Sequence, residues 1–339
     1  MFTKHLKKKI SEWVGIDNPS QFKRLNIGII LGLGITVLYS ILNLSLPPRD
    51  WQVVFRAGAL RDFTKVATPY WSLFLSYLPA QFPEETGYII WTGIGVVLLI
   101  ATLLYFKSSV VLVFLAYQLH WIIFYGQIDL YVIFGLPLGL WAVDRKHPYI
   151  LGVALLLLLI KPQYGLLPAI ILFFWSSERW KSSLVVIGGV ILSFLVWHNW
   201  VAVLLSQWQI YRNPSLAAEF HHEQGNTSLH IPLWIGAILS LGVLFLPING
   251  EKKILSLLSI SFLISPYSTV YSQLAMLVFP LPKWFYVFAI IPWFVAIIWG
   301  PFDHWSWLAV FPLLVFCYTI FPLFQKAKQR KIEKEQKWK

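Results

Sequence analysis

Apolar residues run through this chain in long blocks, and the polar interruptions between them mark out the elements. Such blocks cover roughly 26–46, 87–106, 109–125, 129–143, 184–205, 230–247, 284–299 and 305–324. A helix needs about 20 predominantly apolar residues to cross a bilayer, and each block comes near that length. Two further stretches, 148–176 and 254–282, are apolar but broken near the middle, the first by KPQYG and the second by SPYSTVYSQ. A lysine at the centre of a spanning helix costs about 2.5–3.5 kcal/mol on insertion scales, so the Lys161 stretch is predicted to be two short helices. The segment between the first two blocks has a different period. Trp51, Val54, Phe55 and Gly58 recur at i, i+3, i+4 and i+7, with Arg56 and Arg61 off that stripe. This spacing predicts an amphipathic helix lying along the membrane surface. Asp50 directly precedes it, in the position of an N-cap.

Composition agrees with an integral membrane protein. Of the 339 residues 58% are hydrophobic, 17% aromatic and only 12% charged, whereas a soluble domain carries about a quarter charged residues. The 18 tryptophans suit many membrane–water edges. A net charge of +12 does not point to nucleic acid, because the cations gather at the termini and in short loops, as the positive-inside rule places them. Cys317 is the single cysteine, so an intramolecular disulfide and a cysteine metal site are excluded. The N-terminal MFTKHLKKKI shows no cleavage site ahead of the first block and reads as a retained arm.

Loop charge then orders the topology. If both broken stretches are hairpins, the loops FKSS, DRKH, SERWKSS and GEKK and the Lys283–Trp284 pair all join the basic termini on the cytoplasmic side. The expected fold is therefore all-α and polytopic, with about 12 membrane segments including two broken hairpins. It reads as a basic arm over 1–25, one transmembrane unit over 26–324 and a basic tail over 325–339. Broken segments are tolerated where their backbone faces protein or a water-filled cavity. The two long polar segments, Pro47–Thr86 and roughly Gln207–His230, then face outward, which puts the working face outside the cytoplasm.

Several short motifs carry a resemblance. An aspartate after the first block is followed by the amphipathic segment, then by Thr68-Pro69-Tyr70 and Tyr77-Leu78-Pro79. Further along come Gly126-Gln127-Ile128-Asp129, Ile160-Lys161-Pro162-Gln163, Gly225-Asn226-Thr227-Ser228-Leu229 and Ser265-Pro266-Tyr267-Ser268. In this order they resemble the multi-spanning GT-C glycosyltransferases, most closely family 87, whose members use polyprenyl-phosphate mannose. The resemblance covers about residues 45–275. It implies a hexosyltransferase, mannosyl in the first instance, that moves its sugar with inversion to a lipid or glycan acceptor in the cell envelope. It implies no cofactor and no metal.

The resemblance also maps roles onto residues. The family's base is the first-loop aspartate, which falls on Asp50; an N-cap and a base are compatible roles for one carboxylate. Cations would neutralise the departing phosphate, with Lys161 first and Arg212, His221 and His222 behind it. Tyr70, Gln127, Asp129, Gln163, Asn226, Ser228, Tyr267 and Tyr271 are the expected substrate contacts, and Asp129 is the rival base. Lys161 is also readable as a lysine snorkelling from a helix end, and His221–His222 as a solvated pair. Relatives often carry a histidine shortly after the Ser-Pro turn, where this chain has tyrosines. The chain has no nucleotide-binding glycine loop in a strand–turn–helix setting, so a lipid-borne donor is the simpler expectation. A transporter or flippase of a lipid-linked sugar is the alternative, since broken helices at a mid-membrane cavity suit transport equally well.

Overall fold

A computed structural model describes residues 50–63, 66, 68–198, 200–202, 205, 227, 229, 231–265, 268–299 and 306–322, with isolated positions at 30 and 34. The arm over 1–25, most of the first block and the tail over 325–339 lie outside the described residues. So do Arg212, His221, His222, Asn226, Ser228 and Tyr267.

The described residues form helices and turns without a strand. Helix α1 opens as a π-turn over Trp51–Arg56 and closes as Ala57–Ala59; α2 is Leu73–Ala80 and α3 is Glu84–Phe106. The expected block at 109–125 divides into α4, Val110–Phe114, and α5, Tyr117–Tyr125, and is followed by α6, Asp129–Asp144. The KPQYG stretch breaks as the lysine cost predicts, into α7, Pro148–Leu158, and α8, Pro162–Trp175. Next come α9, Arg179–Trp197, α10, Leu233–Phe245, and α11, Gly250–Ile264. The SPYSTVYSQ stretch differs from a pair of half-helices. Beyond its break only a 3-10 turn, Tyr271–Gln273, and one α-turn, Leu274–Leu277, are helical. α12, Val287–Trp299, and α13, Trp307–Pro322, complete the described chain.

Among the described residues, α3 and α9 are each long and apolar enough to cross a membrane, and α5 with α6 forms a further candidate bent by 117°. The outer surface is apolar as a lipid-facing protein requires. Leu184, Ile187, Ile191 and Leu195 on α9 are exposed, as are Leu233, Trp234, Ile238 and Phe245 on α10.

The predicted stripe of α1 is buried, but against protein. Trp51 and Phe55 are in the core, where both stack on Trp91 of α3 at 5.7 and 5.3 Å. Asp50 does not cap this helix, contrary to the position it holds in the sequence. Its backbone is already helical, at φ −76° and ψ −31°, and its side chain makes no cap hydrogen bond. A capping carboxylate needs the extended conformation that turns it back onto the first N–H groups. The carboxylate is instead turned toward Gln127.

Candidate active site

Gln127 reaches the site through the end of α5. Gly126 takes the left-handed conformation at φ +65°. Its N–H donates to Ile123 (3.0 Å) and the N–H of Gln127 to Ile122 (2.8 Å), the Schellman closure of a helix. An added Cβ at Gly126 would stand 2.7 Å from Cβ of Trp51, so glycine is required both for the turn and for the approach of α1. Trp91 fixes the same turn by donating its indole N–H to the Gly126 carbonyl (2.9 Å). Gly126→Ala is therefore expected to destabilise the protein by about 1–2 kcal/mol from backbone strain alone, and more if Trp51 cannot shift. Thermal unfolding in detergent measures that loss, and turnover should fall with it because Gln127 and Asp50 lose their shared geometry.

Lys161 is set by the proline after it. The residue before a proline is kept out of the helical region, and Lys161 sits at φ −120° and ψ 81° as the N-cap of α8, with Pro162 at the favoured first helical position. Gly165 lets α8 fold back onto α7: a Cβ there would lie 2.0 Å from the Leu158 carbonyl oxygen. The turn aims the lysine side chain inward, where it is only 12% exposed.

Its partner is Asp129, the first residue of α6, which is fully buried. Lys161 Nζ donates to Asp129 Oδ2 at 2.6 Å. The other carboxylate oxygen accepts from Tyr164 Oη (3.1 Å) and Ser272 Oγ (2.9 Å). Since Ser272 gives its proton to Asp129, the 2.8 Å contact between Thr269 and Ser272 has Thr269 as donor. Three donors on a buried carboxylate satisfy it within the protein. Lys161 Nζ also contacts Gln127 Oε1 (3.4 Å) and lies 4.9 Å from the centre of the Tyr271 ring. Gln127 Nε2 in turn donates to Asp50 Oδ2 and to Tyr271 Oη, the latter at 3.1 Å.

A small pocket opens over this cluster. It is lined by Lys161, Gln163, Tyr164, Phe262, Ser268, Thr269, Tyr271 and Ser272. Thr227 holds Ser268 of this lining by donating its N–H (2.8 Å) and hydroxyl (3.1 Å) to the Ser268 carbonyl. That pair joins the Gly-Asn-Thr-Ser-Leu element to the Ser-Pro-Tyr-Ser element.

Of the expected site residues, Asp50, Gln127, Asp129, Lys161 and Tyr271 form one connected network, and Gln163 lines the pocket beside it. Tyr70 stands elsewhere. It is buried in an aromatic cluster between Phe63 and Trp200, and its hydroxyl has no hydrogen-bond partner. Burial pushes that phenol up to about 12, so it stays protonated at any working pH. Tyr164 and Ser272 did not stand out in the sequence, although both are polar groups inside the two interruptions of otherwise apolar stretches. Among the described residues no group of three or more His, Cys, Asp and Glu side chains gathers as metal ligands would.

Among the described residues the scaffold is helical with a lipid-type exterior, and it encloses two carboxylates, a lysine and an amide beside a small pocket. The profile of glycosyltransferase family 87 matches residues 68–266, more than half of the chain. The chain belongs to this family and is a membrane glycosyltransferase, with a sugar donor and an acceptor. No curated protein and no solved structure matches it. Gln127, Asp129, Lys161 and Gln163 fall inside the matched stretch; Asp50 and Tyr271 lie just outside it.

Proposed function

We propose that the protein transfers a hexose, mannose in the first instance, from a polyprenyl-phosphate donor to a lipid or glycan acceptor, with inversion, on the extracytoplasmic face. Asp50 is the base that takes the acceptor's proton. Lys161 supports the departing phosphate through the ammonium face turned toward the pocket. The observation that carries this reading is the convergence of both side chains on the amide of Gln127. A base and a cation held within one residue's reach are what an inverting transfer from a phosphate leaving group needs. Asp129 is not the base in this scheme, because its two oxygens are already taken by Lys161, Tyr164 and Ser272. The pairing lowers the net charge that Lys161 offers, so the other polar residues lining the pocket, Gln163, Ser268, Thr269 and Tyr271, complete the contacts to the donor.

The multi-pass arrangement belongs to the same proposal: about 12 segments, both termini in the cytoplasm, and the long loop containing Asp50 outside. The α1 segment then lies at the outer membrane edge while its apolar stripe seals the site against α3.

Purified protein incubated with radiolabelled polyprenyl-phosphate mannose and a membrane extract should give a labelled lipid or glycan, whose mass identifies the acceptor. Label transferred from a nucleotide sugar in the absence of any lipid-phosphate sugar would overturn the donor assignment. Label that crosses the bilayer still attached to its polyprenyl carrier would point to transport instead.

A further inference from the structure

Gln127 has an orientation that its neighbours dictate. Lysine offers only donors, so the amide atom facing Lys161 Nζ at 3.4 Å is the carbonyl oxygen Oε1. The amide nitrogen is thereby turned to the opposite side, where its protons meet Asp50 Oδ2 and the Tyr271 oxygen. Lys161 is held in turn by the fully buried Asp129, which Tyr164 and Ser272 fix from the other side. A chain of charge and dipole thus runs from a buried carboxylate, through an ammonium and an amide, to the half-buried carboxylate of Asp50.

We propose that Gln127 is the positioning residue for the Asp50 base, with its amide held in the donating orientation by the Lys161–Asp129 pair. This rests on the reading of Asp50 as the base and extends it. The amide occupies one oxygen of Asp50 and fixes the rotation of the carboxylate. It does not touch the reacting atoms. Were the amide to flip, its carbonyl would face an ionised carboxylate, two acceptors in contact, and the base would rotate away or take up a proton. Among the described residues, the other charged and titratable groups around α1 are Arg56 on α1 itself, Arg61 and Asp62 directly after it, Glu84, engaged by Gln52, with Glu85 and Tyr88 on α3, and the exposed Tyr77 of α2.

The test uses the full-length protein in detergent or nanodiscs with a polyprenyl-phosphate sugar donor. Gln127→Ala should lower kcat by about 10- to 100-fold through misplacement of the base, with the donor KM within about threefold of wild type. Gln127→Glu keeps the shape but sets a second carboxylate against Asp50. Like charges in one site raise the apparent pKa of the pair, so the acid limb of the kcat profile should move up by at least about one pH unit. The isosteric Glu variant also answers for any failure of the Ala variant to fold. A wild-type kcat in Gln127→Ala, a loss appearing mainly in donor KM, or an unmoved acid limb in Gln127→Glu would each overturn the proposal. The two ideas fail differently: an active Asp50→Asn removes the base and this proposal with it, whereas an inactive Asp50→Asn beside an unimpaired Gln127→Ala removes only the positioning role.

Discussion

Replacing Asp50 with asparagine is expected to lower turnover by about 10²- to 10⁴-fold, the range a general base contributes, while donor binding stays near wild type. The reasoning is local. Asparagine keeps a carbonyl oxygen for the Gln127 amide, so the hydrogen bond survives and the site keeps its shape. What is lost is the capacity to accept a proton. Because the Asp50 side chain makes no cap to α1, unfolding temperature should change little, which separates a chemical loss from a structural one. Single-turnover measurement of labelled product, with donor binding measured separately, checks both halves. Turnover at the wild-type level in a folded Asp50→Asn protein would send the search for the base elsewhere. Asp129 would be a poor successor, since a carboxylate that already accepts three hydrogen bonds in the interior has little capacity for a substrate proton.

The second large effect is expected at Lys161. Lys161→Met removes one partner of a pair whose side chains are 12% and 0% exposed, leaving Asp129 as an uncompensated buried charge. Breaking a buried pair from one side typically costs about 3–5 kcal/mol, enough to threaten folding in a protein of ordinary stability. Adding Asp129→Asn to the same chain removes the orphaned charge, so the double variant should recover much of the lost stability. It should not recover activity, because the ammonium that faces the pocket and orders Gln127 is still missing. The prediction is therefore a split: unfolding temperature low in the single variant and largely restored in the double, turnover low in both. A double variant with restored turnover would reduce Lys161 to a structural counter-ion. A single variant with unchanged stability and kinetics would make it a snorkelling lysine after all, which its inward geometry opposes.

Much of the helical plan was legible in the order of residues. The run over 87–106 became α3 almost unchanged, because an unbroken apolar stretch of that length has few other ways to satisfy its backbone in lipid. The break at KPQYG was legible for two local reasons: a proline restricts the residue before it, and an unpaired lysine is costly in an apolar span. The stripe of α1 was legible from spacing alone, and Trp51 and Phe55 are indeed buried. Its partner was not, since the period says which face is apolar but not whether lipid or protein covers it. Asp50 shows the same limit. Its place ahead of a helix suggested a cap, yet capping depends on a backbone conformation that the packing of α1 decided otherwise.

Residue order alone specified an all-helical membrane protein and the broken helix at Lys161, and its motifs carried the likeness to the family. The first two follow from residue type and short-range spacing, which set insertion cost, backbone restriction and periodicity within each segment; the family rests on the likeness of the motifs. The contacts of the polar residues were set by the packing of segments far apart in the chain. Gln127 meets Asp50 across 77 positions, Lys161 finds Asp129 across 32, and Tyr271 reaches Gln127 across 144. Such pairings depend on how helices pack, and no local preference encodes them. A buried carboxylate or ammonium must find its partner wherever the fold brings one, because leaving either unpaired in the interior costs more than most single contacts supply.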